Sequence, residues 1–344
     1  MRGIIGYGTY VPYYRLDRAK ITAAMGSGGG RGHRAVAGYD EDTTTMGVEA
    51  ARNALRGSTV TPSSIWFATA NPAYLDKTNA TAIQAALDLP QETWAVDAGG
   101  SARSAEAAIL GARGTSGISM AVISDLRTGN PTSNDESSGG DAAAAILFGD
   151  DEDAPIIAHA MGAAASTGEF LDRYRLPGES ASRIWEERFG EQAYLALAED
   201  AIERAIKEAD LALEDVDKVV IAGLHARAVR SLSKIAGDKL VDDLAARIGN
   251  PGAAQLPLLV ASALDNAAPG ETILCIHLAD GAYASVLRTT DAIADYTPFS
   301  SVESQIENGS DNLDYNLYLT WRGFLDREPP RRPDPDRPGA PPTL

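Results

Sequence analysis

The chain has 344 residues and a formal net charge of −18 at pH 7. A chain of this length can bury a full core in two domains or in one duplicated domain. Its acidity argues against nucleic acid or an anionic membrane as a partner, because both attract basic surfaces. The single cysteine, Cys275, excludes a disulfide framework and a cysteine-rich zinc site within the chain, so no metal is expected. No stretch reaches the roughly 20 apolar residues of a membrane helix, and no secretion signal is recognisable, so a cytoplasmic protein is predicted.

The first half of the chain alternates strand and helix patterns. The start, GIIGYGTYVPYYRL, predicts a strand followed by a loop that proline breaks. The segment from Asp42 to Leu55 predicts a helix capped by Asp42 or Thr43, because its apolar residues recur at helical spacing. The other predicted elements of this half are a strand at 65–70, a helix at 79–87, and strands at 118–124 and 141–150.

Two further features of this half are open to more than one interpretation. The run GSGGGRGHR, from Gly26 to Arg34, is interpreted as a mobile surface loop. Its alternative is a phosphate cradle of backbone N–H groups, assisted by Arg31 or Arg34. Asp141, in a Gly-Gly-Asp run, is expected to close a turn rather than to titrate.

A sharp turn between a strand and a helix lies within residues 95–114, AVDAGGSARSAEAAILGARG. Glycines permit the bend, and alanines let the helix pack closely against its neighbours. The N-terminus of a helix at such a turn favours negative charge, which suits a nucleophile. The turn holds Ser101, Ala102 and Arg103, and none of them is a cysteine. Ser101 is a candidate replacement nucleophile, and a helix N-cap is its simpler role.

The second half of the chain repeats the pattern of the first. A helix from Glu191 to Ala209 precedes a strand at Lys218–Gly223. The run Gly-Asp-Ala-Ala-Ala-Ala-Ile-Leu that starts at Gly140 is echoed by Gly-Ala-Tyr-Ala-Ser-Val-Leu from Gly281. Such a duplication predicts two similar layered α/β halves around a pseudo-twofold axis, with the active site where they meet.

These patterns divide the chain into three parts. Residues 1–155 form the predicted N-terminal half and residues 156–322 the predicted C-terminal half. Residues 323–344 are rich in proline and charge, so they predict an extended tail. That tail is either disordered, or it is a linker or a strap that lies along a partner.

Candidate catalytic side chains follow strands or stand in turns. His225 follows an apolar strand, where α/β sheets place functional groups, and a structural histidine is the alternative. Asn250 is flanked by glycine and proline, so it is either a functional residue or a turn residue. Tyr74, Tyr194 and Tyr283 are candidate proton donors, and packing is their alternative role.

Three motifs carry a resemblance to a known family. They are DEDTTTMGVEAARNAL at residues 40–55, RFGEQAY at 188–194 and IGNPG at 248–252. In these motifs and their spacing, the chain resembles the hydroxymethylglutaryl-CoA synthase family, archaeal type, of the thiolase superfamily. The resemblance implies an α/β, thiolase-like fold with two duplicated αβαβα halves. It also implies a homodimer that acts on acyl-CoA thioesters and carries no covalently bound cofactor.

Members of that family use a cysteine nucleophile, a glutamate acid/base, and a histidine with a nearby asparagine. Matched position by position, the cysteine falls on Ala102, and the glutamate falls near residues 69–71, where no carboxylate stands. His225 in GLHARAV matches the histidine, and Asn250 in IGNPG matches the asparagine. The resulting candidates are His225, Asn250 and Ser101 as catalytic residues, and Ala102, Asn71, Tyr74 and Gly252 as substrate-binding residues.

Three functions stay open at this point. The first is an acyl-CoA enzyme that forms or cleaves carbon–carbon bonds by aldol, retro-aldol or decarboxylative chemistry. It would use no acyl-cysteine intermediate, because an alanine methyl cannot attack a thioester. The second is a catalytically inactive acyl-CoA-binding or scaffold subunit, in a complex with the zinc-ribbon/OB-fold protein that the resemblance implies as a partner. The third is a synthase that uses Ser101 as its nucleophile.

Overall fold

A computed structural model describes residues 2–184 and 187–328 of the chain. The strands, numbered in chain order, are β1 (Gly3–Tyr10), β2 (Tyr14–Asp17), β3 (His33–Val36), β4 (Ser64–Thr69), β5 (Trp94–Gly99), β6 (Ser119–Leu126), β7 (Asp141–Gly149), β8 (Ala158–Thr167), β9 (Arg173–Tyr174), β10 (Arg183–Ile184), β11 (Lys218–Gly223), β12 (Thr272–Leu278) and β13 (Gly281–Thr289). The helices are α1 (Ala19–Met25), α2 (Thr43–Leu55), α3 (Ala80–Ala86), α4 (Ser104–Gly114), α5 (Asn134–Ser138), α6 (Glu187–Glu208), α7 (Ala226–Ala236), α8 (Ala245–Ile248), α9 (Gln255–Asp265), α10 (Val302–Glu307) and α11 (Tyr315–Trp321).

The largest sheet joins strands from both halves in the order β11-β12-β13-β8-β1-β7-β6-β4-β5. The two groups of strands meet where β1 pairs with β8 over two residue pairs. Strand β4 pairs in parallel with β5 and with β6, and β11 pairs in parallel with β12. Within the described part of the chain, the second half has no strand in the place of β5. A single bridge between Val219 and Leu240 stands at that edge instead.

Helices and strands alternate in five layers. Helices α2 and α3 pack on the strands of the first half, and α6 and α7 pack on those of the second. Helices α4 and α9 lie between the two groups of strands and share one core cluster with them. Ala105, Ala108 and Ala112 form the buried face of α4, so that helix can approach its neighbours closely. The predicted thiolase-like αβαβα fold is confirmed.

Helix α2 shows why its sequence folds as predicted. The Asp42 carboxylate accepts a hydrogen bond from the Thr45 N–H at 2.8 Å, and Thr45 Oγ1 accepts one from the Asp42 N–H at 2.8 Å. This reciprocal pair is a capping box, which starts the helix at Thr43. Strand β1 then passes so close that a Cβ at Gly8 would lie 2.2 Å from the Ala54 nitrogen. Only glycine fits at that crossing.

The structure contradicts one alternative and one prediction for the first half. Arg34, a candidate for binding phosphate, is fully buried in β3, and its Nη2 lies 3.4 Å from Asp141 Oδ1. Asp141 closes no turn: it begins β7, is fully buried, and also forms an ion pair with Arg322 near the C-terminal end of the described chain. It accepts further hydrogen bonds from the N–H groups of Ala37 and Arg127. The Arg34 and Asp141 side chains therefore hold segments of the fold together.

The predicted boundaries fall between elements. The boundary after residue 155 lies between the end of β7 at Gly149 and the start of β8 at Ala158. Of the predicted tail, residues 329–344 lie outside the described residues. Among the helices of residues 2–184 and 187–328, none is both long enough and apolar enough to span a bilayer.

Candidate active site

A cleft of about 600 Å³ lies where the two halves meet. The segments after β4, β5 and β6 line it from the first half, and those after β11 and β12 and around β9 line it from the second. Open α/β sheets bind ligands at the carboxyl ends of their strands, where loops carry functional side chains. The lining includes residues 70–72, 99–102, 127, 172–179, 194, 224 and 278–280.

A larger groove, of about 810 Å³, lies on the outer face of the second half. Helices α6 and α7 and strand β11 contribute to its lining, which combines aliphatic side chains with acidic residues such as Glu199 and Glu203. None of the candidate site residues lines this groove. We therefore place the site in the smaller cleft, which contains the turn after β5.

The turn after β5 brings its residues to the cleft surface. Gly100 has a φ of +116°, a conformation that residues with a Cβ rarely adopt. Ser101 and Ala102 both line the cleft just before α4 begins at Ser104. Within the described chain, no group accepts a hydrogen bond from the Ala102 N–H. Ala102 lies at the N-terminus of α4, and a helix N-terminus favours negative charge.

Ser101 does not take the N-cap role that was its simpler interpretation. The N-cap of α4 is Arg103, and the Ser101 carbonyl accepts a hydrogen bond from the Ser104 N–H at 3.1 Å. Among the described residues, no histidine or carboxylate hydrogen bonds to Ser101 Oγ, and the Ser101 N–H donates to Ser104 Oγ at 3.3 Å. Arg103 donates hydrogen bonds to the Asp280 carbonyl and to Thr167 Oγ1, which ties the turn to the second half.

His225 lies directly behind the cleft lining. It is 5% exposed, and its Nδ1 accepts a hydrogen bond from the Ala228 N–H at 3.2 Å at the start of α7. Its Nε2 is 4.0 Å from Asp172 Oδ1 and has no hydrogen-bond partner among the described residues. The Tyr194 hydroxyl donates to Asp172 Oδ2 at 3.1 Å. Asp172 and Tyr194 face the cleft, so we call these two residues and His225 the acid–base cluster.

Two observations describe the chemistry of the acid–base cluster. Burial, and then the charge of Asp172, raise the pKa of Tyr194 above its ordinary value, so its hydroxyl stays protonated and can donate. Gly190 of α6 lies against His225, because a Cβ at that residue would be 2.7 Å from Nε2. Glycine at that position therefore leaves room for the ring to stand beside Asp172.

Asn250 and Gly252 lie outside the cleft lining and next to Arg127. Asn250 Nδ2 donates to the Gly223 carbonyl at 2.8 Å, and its Oδ1 accepts from the Gly252 N–H at 2.9 Å. Gly252 has a φ of +57°, and a Cβ there would be 2.2 Å from Asp125 Oδ2. Both residues therefore shape the backbone behind the cleft and are not among the residues that line it.

The remaining candidates lie in the cleft, on the surface or in the core. Asn71 lines the cleft, and its Oδ1 is 3.4 Å from both terminal nitrogens of Arg175. Tyr74 is 54% exposed and does not line the cleft. Tyr283 is buried outside the cleft, and burial raises its pKa. The structure thus brings together Asn71, Ser101 and Ala102 in the cleft lining, and His225 lies behind that lining in the acid–base cluster.

Sequence reasoning missed the charged residues of the cleft. Asp172 belongs to the acid–base cluster, and Arg127, Arg173 and Arg175 also line the cleft. We call these three arginines the arginine group. Arg127 directly follows β6, so its place after a predicted strand was a usable signal. The run DRYR at residues 172–175 stands in a segment without helical or strand periodicity, so the sequence offered no comparable signal there.

The one cysteine of the chain lies away from the cleft. Cys275 is 2% exposed on β12 and belongs to the central core cluster. Burial raises the pKa of its thiol to about 12. A thiol in that state is neither accessible nor ionised at neutral pH, so Cys275 is a core residue.

Comparisons with known proteins were made by sequence and by structure. No protein-family model matches the chain. The hydroxymethylglutaryl-CoA synthase of Pyrococcus furiosus is 30% identical over 336 residues, which cover 93% of this chain and 95% of that protein. The hydroxymethylglutaryl-CoA synthase of Methanothermobacter thermautotrophicus is 29% identical over 346 residues, which cover 94% of this chain and 99% of that protein.

Solved structures share the fold at lower identity. An HMG-CoA synthase complexed with CoA superposes with a TM-score of 0.78 at 17% identity, over 93% of this chain and 89% of that one. MvaS in complex with 3-hydroxy-3-methylglutaryl coenzyme A superposes with a TM-score of 0.75 at 18% identity, over 97% of this chain and 94% of that one. A 3-oxoacyl-(acyl carrier protein) synthase III from Pseudomonas aeruginosa superposes with a TM-score of 0.69 at 19% identity, over 84% of this chain and 98% of that one.

Proposed function

Because the chain belongs to the hydroxymethylglutaryl-CoA synthase family, we propose that its cleft binds acyl-CoA thioesters and forms or cleaves carbon–carbon bonds without an acyl-cysteine intermediate. An aldol, retro-aldol or decarboxylative step fits this proposal. Such a step needs a bound thioester and a stabilised enolate, but no covalent acyl group. The observation that carries the proposal is the alanine at the turn after β5.

Ala102 stands where the fold favours a nucleophile, and its methyl group cannot attack a thioester. The only thiol in the sequence, Cys275, is buried in β12. Ser101 faces the cleft but has no base as a hydrogen-bond partner among the described residues. These facts together support a route without a covalent acyl-enzyme.

The other groups of the cleft support enolate chemistry. The unpaired N–H of Ala102 can donate a hydrogen bond to the thioester oxygen as negative charge develops on it. Asp172 can take the proton of a β-hydroxyl group while the bond between the α- and β-carbons breaks. The electron pair of that bond then enters the thioester as an enolate, which takes up a proton at carbon. Tyr194 and His225 would hold Asp172 in place for this transfer.

The arginine group supports an anionic ligand such as a CoA thioester. Arg127, Arg173 and Arg175 place three positive charges on one cleft of a protein whose net charge is −18. Asn71 adds an amide beside Arg175. We propose that Asn250 and Gly252 support the backbone behind the arginine group, and that Tyr74 makes contacts at the surface outside the cleft.

The proposed binding is tested by thermal shift and calorimetry with CoA, acetyl-CoA, acetoacetyl-CoA and 3-hydroxy-3-methylglutaryl-CoA. A ligand that binds the native state raises the apparent stability. We expect at least one thioester to bind, and we expect His225→Asn to weaken that binding, because Asp172 at the cleft surface loses the neighbour that holds it in place. Asparagine can still accept the N-cap hydrogen bond of α7, so the variant should fold.

The matched control is His33→Asn. His33 lies on β3, is not a cleft residue, and contacts Asp311 at 3.7 Å on the surface. The His33→Asn variant should bind the thioester as tightly as the wild type does. Binding by none of the four compounds would refute the acyl-CoA proposal.

A second candidate function is a catalytically inactive acyl-CoA-binding or scaffold subunit with a zinc-ribbon/OB-fold partner. Ala102, and the lack of a carboxylate at residues 69–71, favour it. Incubation with 3-hydroxy-3-methylglutaryl-CoA, followed by mass spectrometry of the products, separates the two functions. Cleavage to acetyl-CoA and acetoacetate supports the enzyme. Binding without turnover, alone or with the co-purified partner, supports the scaffold.

A further inference from the structure

Aromatic rings gather on the surface where α11 ends. The Tyr13 and Tyr14 rings meet edge to face with their centroids 5.4 Å apart, and the Tyr14 and Trp321 rings do so at 4.9 Å. Tyr39 stands next to them, because a Cβ at the neighbouring Gly38 would be 3.5 Å from Tyr14 Cε2. Tyr13 is 57% exposed and Tyr39 is 78% exposed. We call Tyr13, Tyr14, Tyr39 and Trp321 the aromatic patch.

The polar atoms of the aromatic patch have no hydrogen-bond partner within residues 2–184 and 187–328. This holds for the three tyrosine hydroxyls and for the indole nitrogen of Trp321. Apolar ring faces with free donors at their edges suit a ligand that is apolar and rich in acceptors. A proline-rich segment has this chemistry, because its rings are apolar and proline has no N–H. The carbonyls of a polyproline II helix form no internal hydrogen bonds, so they can accept from such donors.

The size of the aromatic patch matches one turn of a polyproline II helix. The two contacts given above place the Tyr13 and Trp321 ring centroids at most about 10 Å apart. Three residues of polyproline II rise about 9 Å, so prolines at positions i and i+3 share one face at that spacing. Pro330 and Pro333 have this spacing, and it recurs further along residues 329–344. Aromatic-lined grooves are a common docking site for proline-rich segments.

The described chain leads residues 329–344 to the aromatic patch. Helix α11 ends at Trp321, and Gly323 then takes a φ of +74°. The Phe324 N–H donates a hydrogen bond to the Leu319 carbonyl at 2.8 Å, which turns the chain back on the helix. Phe324 and Trp321 pack against the same hydrophobic cluster. The proline-rich residues therefore start only eight positions after Trp321, a reach of about 25 Å when extended.

Two acidic side chains next to Tyr39 lack a cation among the described residues. Asp40 is exposed and Glu41 is half-buried, and neither forms an ion pair with a described residue. The proline-rich residues carry Arg331 and Arg332 side by side, and their own acidic residues come later, in DPDR. Exposed charges of opposite sign add little affinity, but they select one orientation of a bound segment.

We propose that residues 329–344 bind to the aromatic patch of the same chain. Their prolines lie against the rings, and Arg331 and Arg332 lie beside Asp40 and Glu41. The chain's own segment is the favoured occupant, because the short tether holds it near the patch at a high effective concentration. This contact does not depend on the acyl-CoA function of the cleft.

Photo-crosslinking on the full chain tests the proposal. The photoreactive residue p-benzoylphenylalanine replaces Asp334, and unlabelled chain is mixed with an equal amount of chain labelled with nitrogen-15. After irradiation, mass spectrometry of the digest identifies the crosslinked peptides. We expect crosslinks within one chain, to peptides that contain Tyr13, Tyr14, Tyr39 or Trp321. The same residue in place of Ile235, which is exposed on α7, should not reach the aromatic patch.

Variants of the aromatic patch separate its contribution from chance proximity. Tyr39→Ser changes a side chain that is 78% exposed, so the fold should survive. We expect it to lower the crosslinking yield at least about two-fold, because a ring contact is lost. Arg331→Glu combined with Arg332→Glu should also lower the yield, and more so at low salt. Trp94→Ser removes an exposed ring from the distant edge strand β5 and should leave the yield unchanged.

Several outcomes would overturn the proposal. Crosslinks found only between labelled and unlabelled chains would assign the aromatic patch to a second copy. Crosslinks confined to another surface would place residues 329–344 elsewhere, and no crosslink at all would mean that they stay in solvent. An unchanged yield in both Tyr39→Ser and the arginine variant would show that neither the rings nor the charges hold the segment.

Discussion

At the scale of single residues, the proposed chemistry depends on Ala102. The surroundings still favour a nucleophile: a strand ends at Gly99, Gly100 takes a positive φ, and α4 begins at Ser104. The Ala102 side chain is a methyl group in a position where an ionised thiol would be stabilised by the helix N-terminus. The proposed route without an acyl-cysteine depends on this methyl group.

Restoring a thiol at this position should therefore restore covalent chemistry. Ala102→Cys is expected to take up one acyl group from acetyl-CoA, because a helix N-terminus lowers the pKa of a cysteine and favours its thiolate. Intact-protein mass spectrometry after incubation with acetyl-CoA measures the adduct. The wild type should show none.

Ser101→Cys is the matched control for that experiment. It places the same thiol one residue earlier in the same turn and should label much more slowly. Labelling of Ser101→Cys in preference to Ala102→Cys would mean that the nucleophile position is residue 101. Such a result would contradict the proposed route without a covalent intermediate, because the side chain at residue 101 is a serine, which can be acylated.

At the scale of elements, a buried charge cluster holds α11 against the first half. Asp141 at the start of β7 pairs with Arg34 of β3 and with Arg322 just after α11. Asp141 and Arg34 are fully buried, and the Arg322 side chain is 4% exposed. The Arg34 guanidinium also lies over the Tyr318 ring of α11 at 5.2 Å. The cluster joins segments that are far apart in sequence.

Breaking this cluster should cost much of the stability of the fold. Asp141→Asn leaves two arginines buried near a neutral group, and loss of one partner of a buried pair costs about 3–5 kcal/mol. Urea denaturation measures the free energy of unfolding. The control Glu49→Gln removes the partner of Arg52 at the surface and should cost less than about 1 kcal/mol. Equal effects of the two variants would contradict the structural role of Asp141.

At the scale of the whole molecule, β5 leaves one edge of the sheet open. Among the residues that the structure describes, β5 pairs only with β4, and its Trp94 is 74% exposed. An unpaired edge with an exposed aromatic residue is a template for another strand. We propose that a second copy of the chain covers it, in agreement with the homodimer that the family resemblance implies.

A charge on this edge should separate the two copies. We expect light scattering after size-exclusion chromatography to find a dimer for the wild type and a monomer for Trp94→Glu, because a buried unpaired charge opposes association. Ile235→Glu is the control: that residue is 69% exposed on α7, at the opposite end of the sheet. A dimer that survives Trp94→Glu, or a monomeric wild type, would contradict the proposal.

Much of the fold could be predicted because local patterns determine its elements. The helix predicted from Asp42 begins at Thr43 and ends at Leu55, and the strand at Lys218–Gly223 has the predicted bounds. Apolar periodicity and capping residues are local, so a single sequence carries them. Two features were not predicted: the short helix α5 inside the polar loop, and the isolated bridge that stands in place of an edge strand in the second half. The segments concerned have no periodic apolar pattern.

The sequence by itself determined the repeated α/β halves, the turn before α4 and the lack of a cysteine there, because each depends on neighbouring residues alone. Only the tertiary structure decided that Arg127, Asp172 and Arg175 line one cleft with Ala102. It also decided that Asn250 donates a hydrogen bond to the Gly223 carbonyl and that Asp141 is a buried charge. The physical reason is that these contacts join strand ends and loops from both halves. Which loops meet is set by the packing of whole layers, and local spacing carries no record of it.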